Sequence, residues 1–506
     1  MNSTSRKDVH TMNVHFYPVT PIADSCQDYT VKVNGQVITT DTARVSACPF
    51  NRRWPGHQRP IDQSELNNFV SFAMDEPVEI EVIPTEPFET VHIRPRALGI
   101  TPTVCGNSIK FRLDKPAYFT VEPFGRSHPL HIFADSMVDY NIDPADENVI
   151  YFGQGEHDVG LLELKSGQTL FLDEGAVVYA TVKAYEADNI SILGHGILDN
   201  SRNKETIFFE ACEDFNDEAV NNAHREHTVQ LEYCTGIRID GITIRDSLVY
   251  NIRPVCCKDI DIRNVKIIGC WRYNSDGIDM HNCENVVIDN CFLRTFDDCI
   301  CVKGFDYTQN EADMYHNGIS YDVFRNVRVS NCVLYNDWGK CLEIGAETRA
   351  KEICDIVFTD CHIIHVMNAV LDCMNVDYAD VHNVIFENMT IEYDDVIPPP
   401  DIQRTEDQKY SISTNDYAPD LLCVHVQYVH EYSADTIRRG INRDFRFRNI
   451  RLYGRQRPAF YFAGYDETHQ TGNIHISGLY HNDVPVTDWS ACKVNIAPFC
   501  HDITLE

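Results

Sequence analysis

Gly236-Ile237-Arg238-Ile239, Asp259-Ile260-Asp261-Ile262 and Asn285-Val286-Val287-Ile288 are one phrase written three times: a turn-forming residue, an aliphatic one, any residue, then another aliphatic one. The alternation sends two apolar side chains to one side, as in a half-buried strand, and the Gly, Asp or Asn ahead of it marks a turn. From Ile239 to Ile262 is 23 residues, and from Ile262 to Ile288 is 26. A period of that size built on single strands signals a solenoid, whose coils bury an apolar face only by stacking on one another.

The phrase recurs upstream as Asn189-Ile190-Ser191-Ile192. Downstream it returns as Asn326-Val327-Arg328-Val329, Asp355-Ile356-Val357-Phe358, Asn383-Val384-Ile385-Phe386, Asp444-Phe445-Arg446-Phe447 and Asn473-Ile474-His475-Ile476. Three positions beyond the last apolar residue stand Ile242, Val265, Cys291, Cys332, Cys361, Met389, Ile450 and Leu479, a column that stacked coils would line up in a core. Several cysteines are thereby explained as small buried apolar residues. The longer steps, Ile288 to Val329 and Phe386 to Phe447, are coils carrying loops, and such loops build clefts. No helix-length amphipathic segment alternates with the strands, which argues against leucine-rich repeats and doubly wound folds. The pattern predicts an all-β parallel β-helix over residues 139–506. Before Asp139, alternating runs such as Val78-Glu79-Ile80-Glu81-Val82 and Ile109-Lys110-Phe111-Arg112-Leu113, separated by turns at Asn34-Gly35 and Cys105-Gly106-Asn107, predict a small β-sandwich over residues 1–138.

A length of 506 residues agrees with two domains or an elongated repeat. At 43% hydrophobic and 24% charged residues the composition is that of a soluble globular protein, and no run of about 18 apolar residues is present to span a bilayer. The opening residues, Met1 to Pro18, show no apolar signal core, so a cytoplasmic location is expected. In such a setting the 20 cysteines are expected as thiols. No C-x-x-C pair occurs, so metal binding through sulfur is not expected, and with no dinucleotide fingerprint in the chain no cofactor is expected either. A net charge of −33 leaves no basic surface for nucleic acid and disfavours long polyanionic substrates. Homo-oligomerisation is left open.

Chemistry concentrates in Trp271-Arg272-Tyr273-Asn274-Ser275-Asp276-Gly277-Ile278-Asp279 and, close to one period on, Phe296-Asp297-Asp298-Cys299-Ile300. Residues one coil apart sit on adjacent rungs, roughly 4.8 Å from each other, so Asp276 is expected beside Asp297 and Asp298. Three carboxylates that close repel, and at least one must keep its proton near neutrality. That supplies an acid and a base in one site, the pair that glycoside hydrolysis requires. Isolated aspartates here are read instead as turn caps, as at Asp259, Asp355 and Asp444, and Asp279 is read the same way. Trp271 and Trp338 are candidates for stacking on sugar rings. Lys303, Lys340, Glu343 and Glu347 are candidates for binding substrate hydroxyls or for tuning the carboxyls. His362 and His365 face opposite sides of their strand and are not read as a metal pair. Gly339-Lys340 is not a phosphate loop.

Asn274-Ser275-Asp276-Gly277-Ile278-Asp279, then Asp297-Asp298-Cys299-Ile300 and Val302-Lys303-Gly304, resembles the polygalacturonases, glycoside hydrolase family 28, which show N-T-D-G-I-D and then G-D-D-C-I-A-I-K. Tyr250-Asn251-Ile252-Arg253-Pro254 and Gly194-His195-Gly196-Ile197-Leu198-Asp199 share the likeness, which spans about Asn189 to Glu392. The resemblance implies a right-handed parallel β-helix and an inverting hydrolysis, with Asp297 as general acid and Asp276 and Asp298 activating water. Two departures stand out. Lys340 replaces the histidine of the family's G-H-G-L-S-I-G, and Leu371-Asp372-Cys373 stands where the family's R-x-K holds a galacturonate carboxylate. Losing that cationic fork shifts the expected substrate from a uronate to a neutral sugar. The N-terminal sandwich also resembles the dextranase and isopullulanase family, glycoside hydrolase family 49. The expected function is therefore a glycosidase acting on an oligo- or polysaccharide, in an exo mode. A uronate-specific polygalacturonase, a polysaccharide lyase or sugar epimerase, a glycosyl-transferring enzyme and a non-catalytic binding β-helix are the alternatives.

Overall fold

A computed structural model of the chain describes residues 14–48, 50, 61–202, 227–305, 310–400 and 417–506. It divides into two compact units, one of Met1–Thr42 with Asn67–Asn141 and one of Ala43–Leu66 with Ile142–Glu506. The segment 43–66 counts with the second unit, a feature that no pattern in the sequence signals.

The first unit is a β-sandwich. One sheet runs Gln36–Ile38, Tyr29–Val33, Val78–Pro84, Ser108–Leu113 and Thr103–Cys105, all antiparallel. The other includes Ala117–Glu122 and Leu130–Ser136, and the inward residues of both sheets, among them Val31, Ile80, Phe111, Phe72, Phe119 and Ile132, share one core.

The second unit is a right-handed parallel β-helix. The repeated phrases form one of its sheets, from Thr169–Leu172 through Asp188–Gly194, Thr235–Asp240, Lys258–Arg263 and Glu284–Asp289 to Cys500–Leu505. Its register pairs Ile239 with Ile262, Ile262 with Ile288, Ile288 with Val329 and Val329 with Phe358, then Phe386, Phe447 and Ile476 in turn. Phe386 stacks on Phe358 at 4.8 Å and on Phe447 at 5.2 Å between ring centroids. The column from Ile242 to Leu479 is wholly interior, its cysteines included.

The turn residues have a physical role. Asp259, Asn285, Asn326, Asp355, Asn383, Asp444 and Asn473 all adopt positive φ, between 53° and 63°, a conformation that Asn and Asp tolerate best among residues with a side chain. Their side chains also form a ladder, with Asn285 Nδ2 donating to Asp259 Oδ1 at 2.8 Å and Asn326 Nδ2 to Asn285 Oδ1 at 2.7 Å.

The sheet that carries the chemistry runs through Ile252–Val255, Ile278–His281, Ile300–Lys303, Leu342–Ala346, Ala369–Asn375 and Asp420–Val426. Phe386→Ala, which empties the middle of the phenylalanine stack, should cost about 3–5 kcal/mol in chemical denaturation, with an unchanged spectrum of the folded state.

Candidate active site

Asp276 lies at the approach to the strand Ile278–His281, and Asp297 and Asp298 at the approach to Ile300–Lys303, one coil on. One carboxyl oxygen from each of the three lies within 4.8 Å of the other two. The backbone holds them there. The Asn251 N–H and Nδ2 both donate to the Asp276 carbonyl, at 2.9 and 2.7 Å, and Nδ2 also reaches Cys270 Sγ at 3.3 Å. Thr295 Oγ1 and Asn336 Nδ2 each donate to the Asp297 carbonyl at 2.6 Å, and the Lys340 N–H donates to Asp298 Oδ1 at 2.8 Å. Two glycines allow the approach. A Cβ on Gly277 would stand 2.3 Å from the Cys299 carbonyl oxygen, and one on Gly339 would stand 2.7 Å from Asp297 Oδ1.

Burial and crowding set the protonation. Asp276 is 2% exposed, and burial together with Asp279 and Asp297 pushes its carboxyl well above the usual range against the pull of Lys303. Burial raises Asp297 to about 7, again opposed by Lys303. Asp298, pushed by burial and by Asp297, rises to about 6. Glu343, buried and facing Asp298, rises to about 8.

The two lysines expected at the site are there, each committed to carboxylates. Lys303 Nζ lies 2.9 Å from Asp279 Oδ2 and 3.7 Å from both Asp276 and Glu347, with the Tyr250 ring 5.2 Å away. Lys340 Nζ donates to Glu343 Oε1 at 2.5 Å and to Asp372 Oδ2 at 2.7 Å.

Asp279 overturns its reading as a turn cap. It sits within the strand Ile278–His281, 0% exposed, against Lys303. Register explains the error: Asp279 pairs with Cys301, Cys301 with Glu343 and Glu343 with Asp372, so all four side chains leave the same face of the sheet. In the sequence Asp372 is only a family departure and Tyr250 part of a family likeness; Asp372 joins the site through this register and Tyr250 through its ring contact with Lys303.

The tryptophans correct another expectation. Trp271 is 6% exposed, its Nε1 donates to Asp246 at 3.0 Å and the Arg272 guanidinium lies 4.7 Å from its ring. Trp338 stacks on Phe296 at 5.5 Å and donates to the Pro400 carbonyl at 2.8 Å. Both are packed by loop contacts that the sequence cannot place. Tyr432 is 38% exposed, and burial, then Glu347 and Asp297, push its phenol up. Its loop is tied down by Asp377, which accepts from the Ala434 N–H at 2.7 Å and the Thr348 N–H at 3.0 Å.

Residues 163–413 match the profile of Glycosyl hydrolases family 28. The chain is polygalacturonase-like. It is 34% identical over 84 residues to a probable polygalacturonase of Vitis vinifera and 29% identical over 174 residues to a polygalacturonase of Gossypium barbadense. Those stretches cover 16% and 31% of this chain, and 17% and 40% of the relatives' own lengths. Among solved structures, Dex49A from Penicillium minioluteum matches 96% of this chain and 100% of its own, with a TM-score of 0.60 at 12% identity. The family 28 exopolygalacturonase of Yersinia enterocolitica matches 84% of this chain and 96% of its own, with a TM-score of 0.51 at 14% identity. The polygalacturonase-like chain thus shares its fold with both of these proteins, and the matched profile is that of glycoside hydrolases.

Because Lys303 favours the ionised carboxyls, Lys303→Met should move the pH–activity profile to the alkaline side. It also leaves Asp279 buried without its ammonium, and unfolding free energy should fall by about 3–5 kcal/mol.

Proposed function

We propose that the chain hydrolyses glycosidic bonds of an oligo- or polysaccharide, with Asp297 as general acid, Asp298 as the base that activates water, and Asp276 holding that water. The observation that carries this reading is the convergence of the three carboxyls, with Asp297 pushed to about 7 and Asp298 to about 6. Between those values Asp297 holds a proton for the departing oxygen while Asp298 is ionised and can take one from water. Asp276, raised well above the carboxylate range, then donates to the water oxygen instead of sharing the base role.

The proposed sugar is neutral. Asp276, Asp279, Asp297, Asp298, Glu343, Glu347 and Asp372 surround Lys303 and Lys340, and both ammoniums are already paired with carboxylates, which disfavours a uronate. An exo mode is proposed as well, supported by the loop that Asp377 ties down through the Ala434 N–H. The same proposal has the chain working inside the cell, supported by its described cysteines being free thiols. Cell fractionation tests that location. A second reading, a uronate-cleaving enzyme, is favoured by the names of the plant relatives.

Stereochemistry is proposed as inverting, after the family likeness. The oxygens lie within 4.8 Å, closer than the roughly 6.5–9.5 Å usual for inversion and nearer the ~5–5.5 Å of retention. Proton NMR of the fresh product decides: a retained anomer overturns the inverting assignment.

Asp297→Asn should lower kcat about 10²–10⁴-fold with KM little changed on the substrates cleaved from a panel of neutral and uronic oligosaccharides. Retention of parental kcat removes Asp297 from the acid role. For the parent, the pH profile should be a bell with limbs near 6 and 7. Neutral substrates should be cleaved in preference to uronic ones, and the reverse order sustains the second reading.

A further inference from the structure

We infer that Asp372, Cys423 and His425 form a binding site for one thiophilic divalent cation of the Zn²⁺ kind, on the face of the β-helix that carries the acidic cluster. The strands Ala369–Asn375 and Asp420–Val426 are parallel neighbours whose register pairs Asp372 with Cys423 and Met374 with His425. Cys423 and His425, two residues apart in one strand, leave the same face as Asp372. One ligand atom from each of the three lies within 4.8 Å of the other two.

A carboxylate oxygen, a thiolate sulfur and an imidazole nitrogen are the donors that zinc accepts, and three protein ligands leave its fourth position open. A second observation points to a ligand. His425 is 6% exposed, and its Nδ1 is buried with no hydrogen-bond partner. Such an orphaned nitrogen is costly in an interior, and coordination would satisfy it. Lys340 takes Asp372 Oδ2 at 2.7 Å, and the carboxylate has a second oxygen for the ion. A comparable group, Glu352, Cys354 and His382, has no such orphan among its described atoms, and its Glu352 and His382 already approach one another at 3.7 Å.

On binding, the Cys423 S–H loses its proton to solvent and the sulfur forms the metal bond, His425 gives a nitrogen lone pair and Asp372 an oxygen. One thiolate and one carboxylate balance the two positive charges of the ion. The sequence argued against a sulfur-bound metal because it holds no C-x-x-C. These ligands come instead from two coils, Cys423-x-His425 on one and Asp372 on the other. The inference stands on these residues alone and does not depend on the proposed hydrolysis.

The test uses the full chain, stripped of metal, with Co²⁺ as spectroscopic probe and Zn²⁺ in equilibrium dialysis. A cobalt–thiolate charge-transfer band is expected in the parent and in Cys354→Ser, and it should be lost in Cys423→Ser. Zn²⁺ affinity should fall at least about tenfold in Cys423→Ser and in His425→Gln, each checked for a native circular dichroism spectrum without metal. Absence of the band from the parent overturns the inference. So does parental Zn²⁺ affinity in either variant that folds, and because the two substitutions act on different ligands, one folded variant suffices.

Discussion

The hydrogen-bonded register between successive coils is the constraint on which the rest of this molecule depends. Parallel strands lie about 4.8 Å apart, and each coil is bound to the next residue by residue. Ile239, Ile262 and Ile288 stack because of that register, and for the same reason Asp279, Cys301, Glu343 and Asp372 share a face. Core and site are the two sides of one periodicity. A slip of one residue would exchange them, sending aliphatic side chains to solvent and carboxyls into the core.

Crowding carboxyls in a water-poor site raises the free energy of every ionised form, and the structure answers in two ways. Asp276, Asp297 and Glu343 shift upward so that protonation relieves the repulsion. Two lysines add charge compensation, Lys303 on the Asp276–Asp279–Glu347 side and Lys340 on the Glu343–Asp372 side. The difference in shift between Asp297 and Asp298 arises from this arrangement and not from any difference in their side-chain chemistry. Lys340 also shows why a substitution at a family position is not read by identity alone. Its ammonium is matched by Asp372, which stands at the other position that departs from the family pattern.

The cysteines divide along the same lines. Cys291, Cys332 and Cys361 fill a core column where a small apolar group packs between rungs, whereas Cys301 and Cys423 lie on the acidic face, among carboxyls. Residue type says nothing about which fate applies. The strand position does.

By itself the sequence determined the period, the β-helix, the sandwich before it and the meeting of Asp276 with Asp297 and Asp298, because each follows from alternation and spacing along the chain. Lys303, Lys340 and Glu343 were legible for the same reason, being on neighbouring coils. Tertiary structure alone decided that Asp279 is a strand residue gripping Lys303, that Trp271 and Trp338 are packed, and that segment 43–66 counts with the second unit. Those outcomes turn on register between coils of unequal length and on how loops are tied down, and neither is encoded in local pattern. Periodicity sets which residues can meet, while loop length and rung register set which of them do.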